Sequence, residues 1–189
     1  MAFLTGVLAA LGLSASAGLN AYIPLLVIGF LARFTNLIAL NSPWDALSSW
    51  WILGLLIVLS LVEFFADKIP AVNHINDSIQ TFVRPIAGAI VFAASTQVIT
   101  DIHPILALAA GLLTAGAVHA VKSVAVRPAV TVTTAGAGNI PVSILEDAFA
   151  TFLSVMAVVL PVVAGVTLVF LLFLIAWWLL RKKPVRSMP

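Results

Sequence analysis

Glu63 and Asp67 stand four residues apart, so on a helix they share one face. They close an apolar run, which puts them at a helix C-terminus, where the backbone dipole disfavours anions. Two like charges in that field need cations beside them, or one of them must hold a proton. Lys68, Arg84, Lys122 and Arg127 are the cations available. A carboxyl that keeps its proton would suit a proton-coupled cycle, whereas full pairing would make a structural ion network.

A second group of ligating side chains is His74, Asp77 and His119. His74 and Asp77 lie three apart, a spacing that suits one helical turn. With His119 and Glu146 or Asp147 brought close, they offer nitrogen and oxygen donors to a divalent metal. The spacing matches no zinc signature, and Asn76 or Asp77 also serves as an ordinary helix cap. Ser143 and Glu146 fit a capping box at the start of a helix, which assigns Glu146 to structure and leaves Asp147 as a candidate. The stretch from Thr131 to Pro141 carries threonines, Gly136, Gly138 and Asn139 ahead of that helix. With Lys122 and Arg127 upstream it reads as an anion site, or as a flexible cytoplasmic loop. It lacks a P-loop lysine, and the chain has no nucleophile elbow, HExxH or dinucleotide fingerprint. The absence of cysteine removes disulfides, thiolate metal sites and cysteine nucleophiles.

The elements holding these groups are hydrocarbon. Of 189 residues 62% are hydrophobic and 8% charged, and the mean hydropathy is +1.19. An all-α polytopic membrane bundle follows, because about 20 apolar residues cross a ~30 Å core. Six spans are expected, at residues 2–32, 50–66, 78–100, 104–122, 143–160 and 162–180. A single transmembrane domain then covers 1–183, with a short tail at 184–189. Residues 2–17 resemble a signal peptide at Ala15-Ser16-Ala17, but no basic region precedes them and the apolar run continues, so they read as a retained helix. The first span would be about 46 Å long as a straight helix, too long for one crossing. Ser14, Ser16, Gly18, Asn20 and Pro24 interrupt it. It reads as a broken helix whose freed ends bind a polar ligand, or as a tilted helix whose small residues pack closely. Pro161 separates the last two spans.

Six crossings with the Arg181-Lys182-Lys183 tail inside put eight of nine basic residues on the cytoplasmic side, leaving Arg33 outside. Both termini are then expected in the cytoplasm of a bacterial inner-membrane protein. Trp44, Trp50 and Trp51 mark the far interface, Trp177 and Trp178 the near one. Three spans per half would make any repeat an inverted 3+3 one, with Arg84-Pro85 and Arg127-Pro128 as corresponding elements. The basic residues form no aromatic-interleaved patch, which excludes a nucleic-acid partner.

Several of these segments together resemble the domain-of-unknown-function 4126 family of small bacterial multi-pass membrane proteins. In the first half they are residues 16–25, Ala66 to Pro70, His74, Asp77, Thr81-Phe82 and residues 84–89. In the second half they are His119, Lys122, Arg127-Pro128, residues 133–136, Gly138-Asn139, residues 141–143 and Glu146-Asp147. The resemblance implies no activity, only that these polar positions belong to one pattern. The expectation is a small transporter or channel-like protein for a small polar or anionic solute. Asn20, Glu63, Asp67, Arg84, Lys122, Arg127, Asn139 and Asp147 are its binding or coupling residues. Membrane lipid is a partner, no cofactor is required, and a homo-oligomer is left open. The alternatives are a lipid-head-group enzyme with a divalent metal at His74, Asp77 and His119, and a non-catalytic assembly factor.

Overall fold

Asn20 and Pro24 end the first helix. Pro24 has no N–H to give to a continuing helix, and its ring would meet the carbonyl four residues back. The Asn20 side chain then starts the next helix by accepting hydrogen bonds from the backbone N–H of Tyr22 and of Ile23, each at 3.1 Å. In the computed structural model, α1 (Ala2–Leu19) therefore stops and α2 (Ile23–Phe34) starts within three residues. The structure describes residues 2–68, 70–96 and 102–163, with 166, 170, 173, 174 and 177 beyond them; among these, side chains are described except at residues 2 and 70–75.

The expected interruption is present, and it is a reversal rather than a kink. Leu37 and Ile38, just past α2, line the same crevice as Thr5, Ala9 and Leu13 of α1. Collinear helices would put Leu37 about 48 Å from Thr5 at 1.5 Å per residue. The expected single crossing by residues 2–32 is thus replaced by a helical hairpin whose tip is Asn20-Ala21-Tyr22. It follows that α1 begins at the end of the bundle where α2 finishes. The expectation that the chain starts on the side of the charged groups is corrected accordingly. The C-terminal tail, 181–189, lies outside the described residues.

Three more helices complete the frame: α3 (Trp50–Ala66), α4 (Pro70–Thr96) and α5 (Pro104–Val121). A π turn (Lys122–Val126) carries α5 into α6 (Arg127–Thr134), and α7 (Asn139–Val159) follows. The stretches Asn76–Thr96, Pro104–Thr134 and Asn139–Val159 are long and apolar enough to cross a membrane. The chain is an all-helical bundle whose large apolar side chains point outward: Leu55, Phe82, Leu113, Leu145 and Phe152 are exposed, and Trp51 is 90% exposed. A surface of that kind suits lipid rather than water.

The interior is built from small residues. A Cβ at Gly88 would fall on the Ala115 methyl and 2.9 Å from the Gly111 carbonyl oxygen; one at Gly18 would lie 2.7 Å from Val118 Cβ. Helices α1, α4 and α5 thereby approach at backbone distance. Serines bridge the gaps: Ser14 Oγ donates to Gly88 O and Ser16 Oγ to Ala150 O, both at 2.7 Å. An ordinary helix would leave such hydroxyls to its own carbonyls, so these bonds register α1 against α4 and α7.

Some boundaries differ from expectation for local reasons. Helix α4 starts at Pro70, not 78, because Asn76, Gln80 and Arg84 recur every four residues on one buried face. Helix α7 starts at Asn139, not Ser143, with Pro141 in its first turn, where a missing N–H costs nothing. It ends at Val159, Leu160 leaves helical geometry (φ −135°, ψ 68°), and residues 161–163 are helical again, so the break expected at Pro161 is present. The sixth span, 162–180, lies largely outside the described residues.

Candidate functional site

Five elements bring their charged residues to the hairpin tip. At the end of α3, Glu63 and Asp67 are both buried, Glu63 to 1% exposure. From α4 comes Arg84, 0% exposed, whose Nε and Nη2 donate to Glu63 Oε1 at 3.2 and 2.8 Å. Its Nη2 also lies 3.7 Å from Asp67 Oδ2. The expected partnership of these two acids with arginine is therefore realised, and it crosses from α3 to α4.

The π turn determines what α5 and α6 contribute. Residues five apart on an α-helix point about 140° away from each other at 3.6 residues per turn. Here the Arg127 N–H bonds to the Lys122 carbonyl, five residues back, which brings both side chains round to one side. Pro128 supplies a cause, since it has no N–H for the preceding turn and crowds the carbonyl of Val124. Lys122 Nζ reaches Glu146 Oε2 at 3.0 Å and Asp67 Oδ2 at 3.8 Å. Arg127 Nη2 reaches the same two carboxylates at 2.8 and 3.2 Å.

Asp67 is the hub. Besides the three cations it accepts from Asn76 Nδ2 at 2.7 Å and from Ser143 Oγ at 3.4 Å. Burial opposes its ionisation, but Lys122, Arg84 and Arg127, with the Asn76 bond, outweigh burial and hold its carboxyl below the usual range. On the far side of the tip, Asp147 accepts from Asn20 Nδ2 at 3.0 Å and pairs with Lys68 at 3.5 Å. Glu63, Asp67, Glu146 and Asp147 are thus matched by Lys68, Arg84, Lys122 and Arg127, so cations supply the compensation that Glu63 and Asp67 require.

The tip itself is held by charge at both broken ends. Lys122 Nζ donates to the Leu19 carbonyl, the last of α1, at 2.9 Å. Glu63 Oε2 accepts from the Ala21 N–H, just ahead of α2, at 3.3 Å. A cation at a helix C-terminus and an anion at an N-terminus are the favourable dipole pairings.

His119 has both ring nitrogens engaged. Arg84 Nη1 lies 3.1 Å from Nδ1, and Thr81 Oγ1 lies 3.2 Å from Nε2. A guanidinium only donates, so Nδ1 accepts and the proton sits on Nε2, facing a hydroxyl that itself donates to the Asp77 carbonyl. A metal at His119 would have to displace Arg84 or Thr81. Among the described residues no group of three or more His, Asp or Glu side chains is placed to hold a metal ion. The His74 side chain lies outside the described ones, and Asp77 is half-buried.

Of the expected binding residues, Asn20, Glu63, Asp67, Arg84, Lys122, Arg127 and Asp147 meet here. Asn139 does not: at the start of α7 it pairs with Thr131 at 3.0 Å. Glu146 belongs to the cluster instead of a capping box, because α7 begins four residues before Ser143. The sequence signal for it was its register: Ser143, Glu146, Asp147 and Ala150 recur at helical spacing. Lys68, Asn76 and Ser143 also join, none of them expected as binding groups. Around the cluster, Gln80 Oε1, and Nε and Nη1 of Arg127, are buried without a hydrogen-bond partner among the described residues.

The family model described as Domain of unknown function (DUF4126) matches residues 7–182, so the chain belongs to that family. No curated protein and no solved structure matches the chain.

Proposed function

We propose that this DUF4126 member is a small transporter or channel-like protein for a small polar or anionic solute, with the charge cluster as the place that opens to admit it. One observation carries the reading: a helical hairpin ends inside the bundle with both its broken ends held by buried charges, Lys122 on Leu19 and Glu63 on Ala21. Interrupted helices meeting charge at membrane depth are how polar solutes are bound away from water. The tip lies about 18 Å from the far end of α7, judged from Asp147 to Val159 at 1.5 Å per residue. The cations Lys68, Arg84, Lys122 and Arg127 gather at this level while Arg33 lies at the other end over Trp50, which supports a cytoplasmic cluster in a bacterial inner membrane. The delivery of both Arg-Pro arginines to Asp67 supports an inverted repeat.

A second reading has a specific observation behind it. Every charge in the cluster is paired, and Glu63, Asp67, Arg84, Lys122 and Arg127 are buried, as in a lock that holds an assembly factor's helices together. Flux separates the two. Proteoliposomes loaded with a panel of small labelled anions and neutral polar solutes should show uptake that Glu63→Gln abolishes. Folded wild-type protein that moves none of the panel would leave the structural lock as the function.

A further inference from the structure

The two Arg-Pro arginines are chemically unequal. Every guanidinium nitrogen of Arg84 is committed to protein: Nε and Nη2 to Glu63 and Nη1 to His119. Arg127 commits only Nη2, to Asp67 and Glu146, while its Nε and Nη1 find no acceptor among the described residues. Its side chain is nevertheless only 8% exposed, so bulk water does not replace the missing acceptors.

A guanidinium cannot lose its charge to escape this, and buried donors left unpaired are costly. From this we infer that Arg127 is the recognition residue of the cluster and that it binds an oxyanion, a carboxylate or a phosphate, through one of these unpaired donors, Nε–H or Nη1–H, which lie on different edges of the guanidinium. Arg84 is the structural partner. The inference rests on the proposed solute site and narrows it to one side chain and one ligand chemistry. The geometry around Arg127 suits this role. Asp67 and Glu146 fix the guanidinium through one nitrogen, and Lys122, drawn to the same side by the π turn, shares those two carboxylates and keeps them from saturating the arginine. A charged oxygen acceptor makes a stronger hydrogen bond to a guanidinium N–H than a neutral one does. A free anion and a lipid phosphate offer the same chemistry.

The test is ligand-dependent thermal stabilisation of the purified full chain in a neutral detergent. Inorganic phosphate, acetate and phosphatidylglycerol are titrated separately. At least one should raise the unfolding temperature saturably; a response to phosphate or acetate identifies a free solute, a response to the lipid alone identifies a head group. Arg127→Lys keeps the charge facing Asp67 and Glu146 but lacks both unpaired donors, so the apparent affinity should fall at least tenfold, about 1.4 kcal/mol. Wild-type protein indifferent to all three overturns the inference, as does a folded Arg127→Lys variant of unchanged affinity. Should that variant fail to fold, the Arg127 Nε–H and Nη–H resonances of 15N-arginine-labelled wild type decide: at least one must shift saturably with the stabilising ligand, and constancy of all of them refutes the site. Oxyanion binding that depends on Arg127 without flux in liposomes would defeat the transport reading alone. Flux indifferent to Arg127→Lys would defeat this inference alone.

Discussion

Arg84→Met removes the one guanidinium on which Glu63 depends. Glu63, at 1% exposure, would keep only the Ala21 N–H as a partner, and His119 Nδ1 would lose its donor. Asp67 would be little affected, because Lys122 and Arg127 remain beside it. Breaking a buried pair from one side costs about 3–5 kcal/mol, since the remaining charge is left uncompensated. At about 2–4 °C per kcal/mol for a chain of this size, the unfolding temperature should fall by about 6–20 °C. Glu63→Gln alone strands Arg84 and should cost less, because Asp67 lies 3.7 Å away to share the charge. The double variant removes both charges and should be more stable than the sum of the single losses by about 2 kcal/mol, in the range of coupled neighbours. Thermal unfolding in one detergent, followed by tryptophan fluorescence, reads all three. An Arg84→Met shift below about 2 °C, or single effects that add within ~0.5 kcal/mol, would refute the ion pair as a buried coupling element.

Three further outcomes follow from the packing and the tip. Gly88→Ala should destabilise by about 1–3 kcal/mol, because the new methyl meets Ala115 and Gly111, whereas Gly54→Ala, with nothing within 4 Å, should be neutral or stabilising; thermal unfolding of the two compares them directly. Asn20→Ala should cost about 1 kcal/mol as a lost cap, but Asn20→Asp should be worse, since it sets a carboxylate where Nδ2 now donates to Asp147 at 3.0 Å; the reverse order of unfolding temperatures would reduce Asn20 to an ordinary cap. 15N NMR of labelled histidine should find His119 with its proton on Nε2, and a proton on Nδ1 would disprove the bond from Arg84.

The break in the first span was legible because Asn20 and Pro24 act locally, through a side-chain cap and a missing N–H. The reversal was not. A kink and a hairpin use the same residues, and the choice rests on the crevice that Leu37 and Ile38 share with residues of α1 remote in sequence. The meeting of acids and bases followed from the cost of burying charge, which lets few patterns survive. Who pairs with whom did not, because it depends on the π turn, and nothing before Pro128 announces a wider helix. Glu146 was hidden by coincidence: Ser143 and Glu146 have capping-box spacing, yet that spacing also places two residues on one helix face. Polar residues 76, 80 and 84 lowered the hydropathy of α4's first half and shortened the expected span, although their period of four is that of a helix.

Whether α1 and α2 turn back at Asn20 governs everything built on the tip. The chain has no cysteine, so single cysteines can be introduced at Phe3, Asn36 and Ala137, which are all exposed, and labelled with a membrane-impermeant maleimide in uniformly oriented vesicles. A hairpin requires positions 3 and 36 to react from the same side and position 137 from the other. Labelling of 3 and 36 from opposite sides would mean that the first helices cross the membrane together, and the tip would then be absent from the charge cluster.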